Sequence, residues 1–162
     1  MSPIDLEKKQ KEVPAILVVD DNQQNLELLQ AYLEDIECNT ISAYDGQQAL
    51  EIISKEPPDL ILLDVMMPKM SGFEVCRRIK NDPKTADIPV IMVTALNKFG
   101  DIERGINSGT DDFLSKPINK LELLTRVKTM LKLKHLSDKL ERTLAYLTEI
   151  EKQAQISNPI EQ

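Results

Sequence analysis

Five polar residues stand at the ends of apolar runs, and their types belong to one kind of chemistry. Asp20 and Asp21 follow the run 15–19, AILVV, and Asp64 follows 60–63, LILL. Thr94 follows 89–93, PVIMV, and Lys116 comes two residues after the short stretch 112–114. Polar residues often end strands, so each position alone has an ordinary reading. The set does not, because three carboxylates gathered at one place repel and are costly unless a cation neutralises them. A ligand set made only of oxygens suits Mg2+, a hard octahedral ion that keeps waters and associates with phosphate. A lysine ammonium and a threonine hydroxyl suit the equatorial oxygens of a phosphoryl group. Asp64, alone at its strand end, is then a candidate nucleophile that would form an acyl phosphate.

The elements that must position these residues alternate regularly along the chain. The runs 15–19, 60–63 and 89–93 are continuously apolar, as strands buried on both faces read, and 39–43 and 112–114 are weaker strands. Between them, amphipathic spacing predicts helices over 24–35, 46–55, 71–80 and 99–107, with a fifth capped by Asn119. Ser71 with Glu74 three residues on has the capping-box pattern. Gly100 and Gly105 each weaken the fourth helix by up to ~1 kcal/mol relative to alanine. Five strand–helix pairs with short connections imply a doubly wound α/β fold, a parallel sheet covered on both faces. In such sheets ligands bind beyond the carboxyl ends of the strands, where all five residues fall.

Composition removes several alternatives. The 162 residues are 41% hydrophobic, enough to bury a core, and the formal charge of −7 argues against broad binding to a phosphate backbone. The charge is uneven: residues 1–115 carry a net −10 and residues 116–162 a net +3. No apolar run approaches the ~20 residues of a membrane span, and the N-terminus has no secretory apolar region, so a cytoplasmic protein is expected. Cys38 and Cys76 form no CxxC and His135 is the single histidine, which excludes a Cys/His zinc site and a Ser-His-Asp triad.

The motifs VVDD (18–21), LLDVMMP (62–68), VTA (93–95) and FLSKP (113–117) resemble, in order and spacing, the signature of two-component response-regulator receiver domains. The resemblance covers about 13–135, and several stretches look most like receivers that precede cyclic-di-GMP synthases. It implies a flavodoxin-like five-stranded parallel sheet of order 2-1-3-4-5 with five helices, the last extended. It implies that Asp64 is the phosphoacceptor for a histidine kinase or phosphotransfer protein. Asp20, Asp21, Asp64 and the Met66 carbonyl would hold Mg2+, with Asp20 acting directly or through a bound water. Thr94 and Lys116 would contact the phosphoryl group, the amides of Met66 and Ala95 would complete its cradle, and Phe113 would be the switch aromatic. Lys116-Pro117 matches a bond that is cis in the family. Met66 and Leu96, both apolar, match positions that govern water access and suggest slow self-hydrolysis. The protein would promote its own phosphorylation and dephosphorylation without turning over an external substrate, so it is not expected to be an enzyme.

The chain divides into a flexible segment 1–13, the receiver 14–135 and a helical extension 136–162. From Asn119 to about Glu151 there is neither glycine nor proline. Leu133, Leu136, Leu140, Thr143, Leu147, Ile150 and Ala154 follow heptad spacing. That stripe either folds back on its own domain or frays, or it pairs, most simply as a homodimer through a short coiled coil. The basic residues of this helix read as a solvated face rather than a nucleic-acid contact. No output domain is expected within 136–162, and the output partner is left open. An Asp-nucleophile phosphohydrolase on a similar sheet is disfavoured, because Met66 stands where its second acid would be. A flavin carrier is disfavoured by the Asp-Asp-Asn loop and the absence of tryptophan.

Overall fold

A computed structural model describes residues 13–95 and 99–157, without the side chains of 99–101. Five parallel strands lie in the order β2-β1-β3-β4-β5: β1 Ala15–Val19, β2 Asn39–Ala43, β3 Leu60–Asp64, β4 Val90–Thr94 and β5 Asp112–Ser115. The helices between and after them are α1 Gln23–Leu33, α2 Gly46–Lys55, α3 Gly72–Asn81, α4 Phe99–Ser108 and α5 Lys120–Ser157. This is the expected flavodoxin-like α/β fold.

The central strands are apolar throughout because each feeds two cores. Leu17, Val19, Ile61, Leu63, Val90 and Met92 face α2 and α3, with Ala49, Ile53, Val75, Cys76 and Ile79. Ile16, Val18, Leu60, Leu62, Ile91 and Val93 face α1 and α5, with Leu26, Leu29, Leu33, Leu123 and Val127. Burying each large aliphatic side chain contributes about 1.5–3 kcal/mol. Cys76 belongs to the first core as a small apolar group, and burial raises its thiol above the ordinary value. At the edge of the sheet opposite the polar strand ends, Lys80 of α3 reaches the carbonyls of Ala86 and Ile88 (3.1 and 2.6 Å) and the Asp111 carboxylate (2.9 Å).

Element ends lie within two residues of the sequence expectation. The ladder runs one position further than the apolar runs, pairing Asp64 with Val93 and Thr94 with Ser115, so both polar residues are the last of their strands. Helix α1 stops at Leu33, where the Glu34 and Ile36 N–H groups turn back to the Ala31 and Leu33 carbonyls. Ser71 caps α3 by accepting from the Glu74 N–H, but the Glu74 carboxylate turns to Arg77 and Arg78, so only half of the capping box forms. Asn119 caps α5 by accepting from the Glu122 N–H at 3.0 Å. That helix runs unbroken for 38 residues and ends at Ser157, just before its next helix breaker, Pro159. The expectations for 1–12, Leu96 and 158–162 lie outside the described residues.

Candidate functional site

The parallel ladder places Asp20 and Asp64 side by side. Val19 pairs with Leu63, so each aspartate is the next residue on adjoining strands. The Asp20 N–H donates to the Ala43 carbonyl at 3.2 Å, and Asp20 Oδ1 accepts from the Asn22 N–H at 2.9 Å. The Asn22 side chain then caps α1 by accepting from the Gln24 and Asn25 N–H groups. This short turn fixes Asp20 inward, 1% exposed, and leaves Asp21 exposed at the rim. Asp64 is 3% exposed. One carboxylate oxygen from each of Asp20, Asp21 and Asp64 lies within 4.8 Å of the others.

Behind Asp64 the chain returns at close range. The Gly72 N–H donates to the Val65 carbonyl at 2.9 Å, and a Cβ on Gly72 would collide with the Asp64 carbonyl oxygen. A side chain is therefore excluded at the first residue of α3. Lys69, in the loop between, has φ +68° and is spanned by a Met70 N–H to Pro68 carbonyl bond of 2.8 Å, which makes a γ-turn.

The opposite charge comes from the edge strand. The Lys116 N–H donates to the Thr94 carbonyl at 2.8 Å, the Lys116–Pro117 bond is cis, and Lys116 Nζ lies 3.2 Å from Asp64 Oδ1 and 3.4 Å from Asp20 Oδ2. Burial raises the Asp64 carboxyl above its ordinary value and the Asp20 charge adds to this. Lys116 and the Met66 N–H only partly offset them. Burial alone would pull Lys116 down, but the charges and hydrogen bonds of Asp64 and Asp20 hold it above its ordinary value.

Four of the sequence candidates, Asp20, Asp21, Asp64 and Lys116, thus meet through their side chains, and the Met66 N–H reaches Asp64 from the backbone. Thr94, nearly buried, ends the strand beside Asp64. Ala95 is exposed just beyond it, and Met66 is 62% exposed. Phe113 lies away from this group, half-buried against the first core. Three contributors were not singled out from sequence: Asn22, Gly72 and a cleft of about 250 Å³ beside Asp20 and Lys116, walled by Leu28, Leu29, Tyr32, Pro117 and Ile118. Asn22 carried a readable signal as a capping residue before a helix. Gly72 carried none, since its need for space arises from a strand eight residues back.

On α5, contact with the core fades after Leu131. Leu133, Leu136, Leu140, Leu147 and Ile150 are 43–60% exposed, and Leu144 and Tyr146 add to them, so the stripe does not fold back on its own domain. No helix among the described residues is long and apolar enough to cross a membrane.

The donor set fits a hard divalent cation. Three carboxylates, two of them buried, face one another with the Lys116 ammonium between two of them, and every side-chain ligand is an oxygen. Fold and site together define a doubly wound α/β protein with an acidic, lysine-closed pocket at its strand ends. The response regulator receiver domain model matches residues 16–128, and the chain belongs to that family. It is 46% identical over 127 residues to the response regulator PleD of Caulobacter vibrioides, an alignment covering 78% of this chain and 28% of PleD. It is 42% identical over 120 residues to the DNA-binding dual master transcriptional regulator RpaA of Synechocystis, covering 74% of this chain and 50% of RpaA. The chain thus spans half or less of these two curated relatives. Among solved structures it resembles the signal receiver domain of a signal transduction histidine kinase from Syntrophus aciditrophicus. That match has 37% identity and a TM-score of 0.71, over 74% of this chain and 91% of that one. A CheY-like receiver domain protein from Methanospirillum hungatei matches with a TM-score of 0.73 at 26% identity, over 78% and 99% of the two chains.

Proposed function

We propose that Asp64 accepts a phosphoryl group from a histidine kinase or histidine phosphotransfer protein, and that Thr94, Phe113 and α5 carry the resulting change to a partner. The observation behind this reading is the position of Lys116 Nζ within hydrogen-bonding reach of both buried carboxylates, with Asp21 completing an acidic triad. In the transfer, an Asp64 oxygen forms the new O–P bond as the donor's P–N bond breaks. The departing imidazole keeps the electron pair of that bond, and a proton on its other nitrogen makes it a neutral leaving group. Lys116 stabilises phosphoryl oxygens as it now stabilises Asp64, Thr94 donates its hydroxyl, and the N–H groups of Met66 and Ala95 line the remaining side. Asp20, Asp21, Asp64 and the Met66 carbonyl would hold Mg2+, which when bound neutralises charge shared between carboxylate and phosphoryl oxygens.

The cleft beside Asp20 and Lys116 suits an apolar side chain of the phosphodonor, presented next to the reacting atoms. The exposed stripe of α5 suits a second copy of this chain, packed as a short parallel coiled coil. Incubation with acetyl phosphate and Mg2+ tests the central reading: one added phosphoryl group by mass is expected in the parent and none in Asp64→Asn. Equal labelling of both, or of neither, overturns it.

A further inference from the structure

Gly105 lies buried on the inner face of α4, and the Phe113 ring takes the space its side chain would need. A Cβ at Gly105 would fall on the ring edge, against Cζ and Cε1. The glycine backbone is tied in place: the buried Ser108 hydroxyl and the Thr110 N–H both donate to its carbonyl. The preceding residue anchors the same turn, with the Arg104 guanidinium 4.6 Å from the centre of the Phe73 ring on α3. Glycine inside a helix is unfavourable relative to alanine, so this position gives up helix stability and gains room for the ring. Phe113 pairs in register with Met92, two residues before Thr94, and lies three residues before Lys116. The strands that hold the ring therefore also end in the site.

We propose that Gly105 is the positioning residue for the Phe113 ring, and that its missing side chain sets how readily Asp64 takes a phosphoryl group. The inference rests on the assignment of Asp64 as phosphoacceptor and adds a residue on a different element. The ring seated against Gly105 belongs to β5, which pairs with the strand that ends at Thr94, so its seating is coupled to the strand ends that would receive a phosphoryl group. Whatever favours the seated ring then favours the phosphorylated form by the same factor. Gly105→Ala puts a methyl group where the edge of the half-buried ring now lies, so the ring is displaced.

The test uses four full-length proteins: the parent, Gly105→Ala, Phe113→Ala and the double variant. Acetyl phosphate labelling with Mg2+ is followed by intact mass, and the aromatic NMR signals of the three phenylalanines are compared without phosphodonor. Gly105→Ala is expected to slow labelling at least fivefold in the parent background and to change it less than twofold when Phe113 is alanine. It is also expected to move the Phe113 ring signals. Equal slowing in both backgrounds, no slowing in either, or unmoved Phe113 signals overturns the proposal. A parent that takes no label defeats the Asp64 assignment instead, and the ring signals then decide the Gly105 contact on their own.

Discussion

Lys116 Nζ and Asp64 Oδ1 stand 3.2 Å apart although 52 positions separate them in the chain. Their meeting depends on two strand ladders and one turn, and it partly offsets the burial of the Asp64 carboxylate. Asp64 is still held above its ordinary value, so burial and Asp20 outweigh the lysine.

The first consequence concerns stability. A carboxyl whose folded value is raised disfavours its own ionised form, so Asp64 lowers stability as pH rises from 3.8 to its folded value, and that loss is complete and constant above it. Asp64→Asn removes that charge and leaves Lys116 paired with Asp20. In the absence of divalent cation at pH 7, a gain of about 1 kcal/mol is expected, seen as a melting temperature ~2–4 °C higher. A lower melting temperature would show that the Lys116 pairing dominates.

Lys116→Ala has the opposite sign. It leaves two neighbouring buried carboxylates without their ammonium, for a loss of about 2 kcal/mol after allowing for the partial exposure of Lys116. Because the folded value of Lys116 is raised, its contribution is fully present below pH 10.5 and disappears as pH rises through the higher folded value. Urea denaturation at pH 7 and at increasing alkaline pH separates the two regimes: the parent and the variant should differ at pH 7 and converge as pH rises through the folded value of Lys116.

Mg2+ is expected to stabilise the parent by about 2.7 kcal/mol at a hundredfold excess over its dissociation constant. Asp21→Asn should shrink that effect with little change in metal-free stability, because Asp21 is exposed. Thermal melts across a Mg2+ titration check this, and an undiminished shift in the variant would remove Asp21 from the ligand set.

Gly72→Ala should cost about 1–3 kcal/mol, the usual penalty of overpacking, because its Cβ would meet the Asp64 carbonyl rather than a movable side chain. Chemical denaturation measures it. Alanine tolerated without loss would mean that the start of α3 shifts freely.

For α5, sedimentation of the full chain against a truncation after His135 should give a dimer and a monomer respectively. Leu140→Glu and Leu147→Glu should each dissociate the full chain. Equal monomeric mass for both lengths would reject the coiled-coil pairing.

The fold and the four meeting residues were legible because strand burial and strand ends leave marks in one dimension. Val18-Val19-Asp20-Asp21 and Leu62-Leu63-Asp64 announce both a buried strand and the place where it stops. Gly72 and Gly105 were not legible as contacts. Gly105 reads from sequence only as a weak point of a helix, and its meaning depends on a ring eight residues away on another element. The cleft walled by Leu28 and Tyr32 was hidden for a related reason: on α1 these residues follow ordinary amphipathic spacing, and only the loop after β5 turns them into a wall. Glu74 shows the converse, a sequence pattern half realised because two arginines competed for its carboxylate.

Helix α5 is continuous from Lys120 to Ser157, its first turns packed against the sheet by Leu123, Leu124 and Val127 and its residues beyond Ser137 clear of the domain. Its length and one-sided packing give it the shape of a lever, with the pivot where its packing against the core ends, near Leu131. A tilt of ~5° at that point displaces Ile156, roughly 37 Å further along at 1.5 Å per residue, by ~3 Å. A change too small to disturb the packing around the strand ends thus arrives at the far end of the helix as a movement the size of a side chain.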